Sequence, residues 1–178
     1  MAIEVVPYNP EWSEWFKNIT TPIWDSVREY IIDIVHIGST SIVGMSAKPC
    51  IDIDIVIDDW VNFPKVIEGL ALLGYEHIGD LGIKEREAFK HAASIYRHNL
   101  YVVHVDSIAY RNHIALKNHL YENPNDFQRY IDLKLELSNS SVDIDQYCRL
   151  KTNIILDFLE AEGFTAEELE EIRLQNLS

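Results

Sequence analysis

The sequence predicts a mixed α+β fold, in which a β-sheet from the first two thirds of the chain is packed with helices and followed by a helical C-terminal region. Three observations carry this. Strand-like runs, β-branched or alternating, recur at 31–37, 51–57 and 98–106; helical stripes lie before and between them; and from His113 onward the patterning is helical. With 178 residues, 47% of them apolar and four of them tryptophans, the chain is long enough for one domain over 1–178, with 113–178 as its mainly helical part.

The elements follow in order. Asn9-Pro10 introduces a helical stretch with Trp12, Trp15, Phe16 and Ile19 on one stripe, and Pro22 at a first-turn position opens another carrying Ile23, Val27 and Tyr30. The run 31–37 is β-branched and stops at Gly38, as a strand feeding a turn does. In 51–57 four isoleucines share one face, while Asp52, Asp54 and Val56 share the other. Residues 63–73 are helical and stopped by Gly74, and Tyr75 begins an extended segment. A glycine- and charge-rich stretch, 79–91, reads as a turn or mobile loop followed by a strand. The β-prone run 98–106 puts Leu100, Val102, His104 and Asp106 on one face. Helices then reach about Asn123, run from Pro124 to about Ser138, span 144–162, and close the chain at 165–177 behind the capping box Thr165-Ala166-Glu167-Glu168.

Composition excludes several roles. Fifteen basic residues against 29 acidic ones give a net charge of −14, which repels a polyanion, and no basic run or stripe is present, so nucleic-acid binding is not expected. Small phosphorylated ligands remain allowed, because a divalent ion and two or three cations suffice to hold them. No run approaches the roughly 18 apolar residues of a membrane span, and Met1 to Pro10 lacks the pattern of a leader, so a cytoplasmic protein is expected. Cys50 and Cys148 stand alone and are read as reduced thiols.

Chemistry concentrates in residues 36–54. Gly38-Ser39-Thr40-Ser41 offers small residues, free N–H groups and three hydroxyls after a strand. Asp52 and Asp54, one residue apart on a strand, point to one face at roughly 6.5 to 7 Å, a separation at which carboxylates share divalent cations. Phosphoryl and nucleotidyl transfer rest mostly on positioning and charge neutralisation by metal ions, and hard oxygen ligands hold such ions. The pattern therefore reads as a phosphate place, Gly38, Ser39 and Thr40, beside a place for Mg²⁺ or Mn²⁺ at Asp52 and Asp54. Lys48, just ahead of the acidic strand, is a candidate phosphate contact, His104 a candidate substrate contact, and His36 reads as a structural histidine.

The chain resembles the GrpB family, whose fold is similar to that of the nucleotidyltransferases. The resemblance rests on Val6-Pro7-Tyr8-Asn9-Pro10-Glu11-Trp12, on His36-Ile37-Gly38-Ser39-Thr40 with Val43-Gly44 and Ala47-Lys48-Pro49, and on Ile51-Asp52-Ile53. Gly74-Tyr75, His98-Asn99-Leu100, Asn123-Pro124, Tyr130, Leu133-Lys134, Tyr147 and Lys151 continue it. It implies a nucleotidyltransferase-like mixed sheet bearing the glycine turn and the acid pair, and it calls for a third carboxylate on a neighbouring strand. The chain carries His104 where that acid is expected, so Asp106, two residues on, stands in as the third catalytic acid beside Asp52 and Asp54. A second departure is Leu116-Lys117-Asn118-His119, where the family usually shows Phe-Arg-Asp-Tyr. The expected function is metal-dependent transfer of a nucleotidyl group from a nucleoside triphosphate to a small acceptor; the alternative is an inactive nucleotide-binding or interaction module that keeps the fold.

Overall fold

A computed structural model describes residues 4–139 and 143–177. Residues 1–3, at the start of the stretch read for a leader, lie outside the described residues. The elements are α1 (Trp12–Val27), β1 (Asp33–Ile37), β2 (Ile51–Ile57), α2 (Phe63–Leu72), β3 (Tyr75–Gly79), β4 (Arg86–His91), β5 (His98–His104), α3 (Ile108–Glu122), α4 (Pro124–Asn139), α5 (Ile144–Ala161) and α6 (Ala166–Leu177). The five strands form one mixed sheet in the order β1-β2-β5-β4-β3. Only the central pair, β2 and β5, is parallel; β1 with β2, β5 with β4 and β4 with β3 are antiparallel.

The alternation in β2 decides which layer covers each face. Ile51, Ile53, Ile55 and Ile57 are fully buried against Trp12, Ile19, Ile23 and Val27 of α1 and Val66 and Leu70 of α2. Each such isoleucine contributes roughly 1.5 to 3 kcal/mol, which makes this face the main apolar layer. The opposite face carries the two acids, and α3 reaches it through His113, which meets Asp54. A second core, with Ile42 and Met45 below the glycine turn and Leu120, Tyr130, Ile131 and Phe158 from α3, α4 and α5, seats the C-terminal helices on the turn. Among the described residues no helix is long and apolar enough to cross a membrane.

Three boundaries differ from the sequence expectation. Pro22 does not start a new helix but lies inside α1. It removes one backbone hydrogen bond at an exposed position, and the buried stripe Ile19, Ile23, Val27 outweighs that cost of roughly 3 kcal/mol. Helix α3 begins at Ile108 rather than at His113, because the Ser107 hydroxyl accepts from the Tyr110 amide at 3.1 Å and caps it. Strand β5 ends at His104, two residues early, because the chain turns there into that cap.

One buried polar residue ties the C-terminal helices together. The His119 ring in α3 is 3% exposed, lies 2.7 Å from Glu162 after α5 and 3.0 Å from Asp126 in α4, and stacks on Phe158 at 4.8 Å. Replacing His119 by Ala leaves a cavity, removes the ring that Glu162 meets and leaves Asp126 with Arg129 alone among the described residues, so a loss of about 3 kcal/mol is expected in urea unfolding. An unchanged midpoint would show that the three helices do not depend on this contact.

Candidate functional site

Gly38 and Asp52 are packed as one unit. The register pairs Ile37 with Asp52, so the turn that leaves β1 folds back over the Asp52 side chain. Gly38 has φ +68° and ψ −176°, a conformation essentially closed to other residues. A Cβ at this position would lie 2.5 Å from Asp52 Oδ2, so glycine is required both for the backbone and for the approach. Gly38→Ala is expected to cost about 2 to 3 kcal/mol and to displace Asp52. Gly163 also has a positive φ, but a Cβ there meets nothing within 4 Å, so Gly163→Ala should cost only about 1 kcal/mol. Equal losses in the two variants would mean that strain alone, and not contact with Asp52, constrains Gly38.

The rest of the turn is tied to the scaffold. Residues Ser39–Ser41 make one short 3-10 turn in which the Ser41 hydroxyl donates to Gly38 O at 2.7 Å. The Thr40 hydroxyl lies 3.0 Å from His36 Nε2 and donates to Cys50 O at 3.3 Å. Ser39 Oγ accepts from Lys134 Nζ at 3.1 Å, and the same ammonium group donates to Ser46 O. His36 is the structural residue expected: it stacks on Phe16 at 4.8 Å on the face away from the acids, and burial, with Lys117 nearby, lowers its pKa to about 4.

The two acids occupy different surroundings. Asp52 is half-buried and its Oδ1 accepts from Asn99 Nδ2 at 2.7 Å. Burial raises its pKa, with Asn99, His113 and Lys151 acting in the opposite direction. Asp54 is fully buried; its Oδ2 accepts from His113 Nδ1 at 2.7 Å, and its Oδ1 has no partner among the described residues. On the same face Arg86 lies over the Tyr101 ring at 4.4 Å, and Arg86 Nε is also without a partner there.

Two adjoining cavities open beside Asp52. The larger, about 290 Å³, has Ser39, Thr40, Lys48, Asp52, Arg97, Asn99, Lys134 and Lys151 among its walls. The smaller, about 190 Å³, is bounded by Gly38, Asp52 and His113 with Leu116, Leu120 and Ile155. Ser39, Asp52 and Lys151 border both, so the carboxylate stands at their junction.

Gly38, Ser39, Thr40, Lys48 and Asp52 are therefore gathered in one place, and Asp54 lies next to it on the same strand face. His104 and Asp106 are not brought there. Pairing of Ile51 with His98 and of Asp52 with Asn99 puts odd-numbered β5 residues on the acid face, so His104 projects from the other side. It also lies five residues beyond Asn99, roughly 16 Å along the strand, where its Nε2 meets Asp58 O at 3.0 Å. Asp106 follows the end of the strand with its side chain 88% exposed. The position opposite Asp52 on the neighbouring strand is Asn99, which is not an acid.

Sequence reasoning assigned no role to His113, Asn99, Lys134 or Lys151. Lys134 and Lys151 stood only among the matching pieces of the resemblance, and no periodicity connects a helix lysine to a turn 95 positions earlier. Of the residues in 116–119, Lys117 donates to His36 O at 2.9 Å and borders the smaller cavity.

A divalent ion requires several hard oxygen donors around it. Among the described residues no three His, Cys, Asp or Glu side chains gather as a metal cage. Magnesium, however, is commonly held by one or two carboxylates together with substrate phosphates. Asp52 at the cavity junction and the unpartnered Oδ1 of Asp54, which is fully buried and borders neither cavity, are the two carboxylates that fit such an ion.

The chain belongs to the GrpB family: the GrpB protein family model matches residues 2–161. It is 31% identical over 150 residues to YqkA of Bacillus subtilis, a match spanning 84% of this chain and 44% of that protein. It is 28% identical over 139 residues to glutamate-rich protein GrpB of Alkalihalophilus pseudofirmus, covering 75% and 80% of the two chains. The fold is similar to that in the crystal structure of conserved protein GrpB from Enterococcus faecalis, with a TM-score of 0.76 and 26% identity over 90% of this chain and all of that one.

Proposed function

We propose that this chain binds a nucleoside triphosphate at the junction of the two cavities and transfers its nucleotidyl group to a small acceptor carrying a hydroxyl group. The observation that supports this most is the closeness of Gly38 to Asp52: a backbone turn that phosphates approach closely is packed against a half-buried carboxylate. Asp52, with Asp54 Oδ1, would hold Mg²⁺ or Mn²⁺. When bound, such an ion neutralises the phosphates and acts as a Lewis acid at a phosphoryl oxygen.

The chain's own residues divide the remaining work. Ser39 and Thr40 border the larger cavity, where the phosphates lie, and the smaller cavity, with its apolar wall of Leu116, Leu120 and Ile155, receives the acceptor. Asp54 holds the His113 ring by Nδ1, and in its neutral form the ring offers Nε2 to accept the proton of the acceptor hydroxyl. The reaction belongs in the cytoplasm, where triphosphates are abundant.

A second reading, a nucleotide-binding module without turnover, is favoured by Asn99, not an acid, standing opposite Asp52 on the neighbouring strand, while the expected stand-in, Asp106, lies exposed beyond the strand. Incubation with labelled triphosphates, Mg²⁺ or Mn²⁺ and a metabolite extract separates the two. Label transfer or pyrophosphate release that disappears in Asp52→Asn supports transfer. Tight triphosphate binding without turnover supports the module, and failure to bind any triphosphate with either metal rules out both.

A further inference from the structure

We infer that the larger cavity is a polyphosphate site in its own right, one that takes the phosphate chain of the triphosphate, and pyrophosphate alone, without a metal ion. The inference rests on the proposed function for the identity of the ligand, but it is carried by a separate observation. In a chain with a net charge of −14, Lys48, Arg97, Lys134 and Lys151 converge on one cavity in which Asp52 is the sole acid among the described lining residues.

These cations come from different parts of the molecule, so no single helix face accounts for them. Lys48 and Arg97 lie just ahead of β2 and β5, the two parallel central strands, while Lys134 projects from α4 and Lys151 from α5. Lys134 is 1% exposed, and a lysine so buried without an acid beside it costs folding free energy. Around its ammonium group are Ser39 Oγ and Ser46 O from the turn region, the Tyr130 ring from its own helix at 4.5 Å, and Lys151 across the cavity. Burial and the positive Lys151 lower its pKa to about 6, so in the empty cavity it is largely neutral at pH 7.5. An anion placed between these lysines supplies the missing counter-charge and returns the proton.

Size and charge select the ligand. At about 290 Å³ the cavity is at the lower end of ligand sites, which start at about 300 Å³, a size that suits a phosphate chain. Once Lys134 regains its proton, four cations exceed what one phosphate group neutralises, and they match the three to four charges of pyrophosphate or of a triphosphate tail. Asp52 borders both cavities, which connects the pocket to the proposed reaction.

Calorimetric titration of the full chain with pyrophosphate, orthophosphate and AMP, in EDTA and about 0.15 M KCl, tests this. Pyrophosphate is expected to bind without metal, at least tenfold more tightly than orthophosphate or AMP. Lys134→Met and Lys151→Met are each expected to weaken it tenfold or more, and Lys48→Gln and Arg97→Gln, closer to solvent, serve if either methionine variant fails to fold. At pH 7.5 binding should take up protons, read from heats in two buffers of different ionisation enthalpy, and Lys134→Met should abolish most of that uptake. No pyrophosphate binding in EDTA, or equal binding by the folded lysine and arginine variants, overturns the inference. The two ideas fail separately: metal-free pyrophosphate binding with no transfer under any condition leaves the pocket and removes the transferase, whereas Asp52-dependent transfer with unaltered pyrophosphate affinity in the variants does the reverse.

Discussion

Asp52→Asn is expected to give a protein that is more stable than its parent and inactive in transfer. Asn and Asp have nearly the same shape, and the Asn99 amide that donates to Asp52 Oδ1 at 2.7 Å can donate equally to an asparagine carbonyl. What changes is the charge. Burial raises the Asp52 pKa, so the folded state disfavours the carboxylate relative to the unfolded chain. The sign follows: below the unfolded value of about 3.9 both states are protonated and nothing is lost, while stability falls as pH rises through the window up to the raised folded pKa. At pH 7, well above the unfolded value, the parent bears this cost and the asparagine variant does not. Function should move the other way, because a neutral amide is a poor ligand for a hard cation; a loss of several kcal/mol of charge stabilisation lowers transfer by roughly 10³-fold or more. Urea unfolding at pH 7 and the label-transfer assay check the two halves independently. A variant less stable than the parent would show that Asp52 is held for the fold; a stable variant with full transfer would remove Asp52 from the reaction.

How much of this site was legible in the sequence depended on how local each relation is. The 51–57 strand was readable because the period-two pattern is complete within seven residues, and its isoleucine face is the buried core face. The turn at Gly38 was readable for the same reason, as a glycine closing a β-branched run. The third acid was misplaced because it depends on a register. Patterning grouped His104 and Asp106 on one face of β5, but the alignment of β5 beside β2 directs His104 away from Asp52, and the chain turns before Asp106. His113 and Lys134 were beyond reach, since their partners lie 59 and 95 positions away and depend on how α3 and α4 are seated on the sheet. The start of α3 was missed although its signal, the Ser107 cap, is local.

His113→Gln is expected to produce the largest change in stability at the site, and one that depends on pH. In the parent, Asp54 is fully buried and its one close partner among the described residues is the His113 ring at 2.7 Å. Removing one member of a buried ion pair leaves the other uncompensated and costs about 3 to 5 kcal/mol. A His113 side chain that is 23% exposed places the expected loss near the lower end, about 3 kcal/mol at pH 6. Burial pulls the His113 pKa down, but the Asp54 charge, its hydrogen bond and the Asp52 charge outweigh it, and the net shift is upward. A histidine raised in the folded state contributes stability that is fully present below its unfolded pKa, near 6.5, and is lost as pH rises through the folded value. The parent should therefore lose stability from about pH 6 toward alkaline pH, and His113→Gln, with no proton to release, should lack that slope. The gap between the two proteins should be widest at pH 6 and should narrow as pH rises through the raised folded value, above which only the neutral hydrogen bond remains. Because Asp54→Asn removes the stranded charge, Asp54→Asn/His113→Gln should recover part of the loss at pH 6, and the pair should depart from additivity by more than about 1 kcal/mol. Parallel pH profiles for parent and His113→Gln, or full additivity in the double variant, would mean that the histidine and the buried acid do not act as a charged pair.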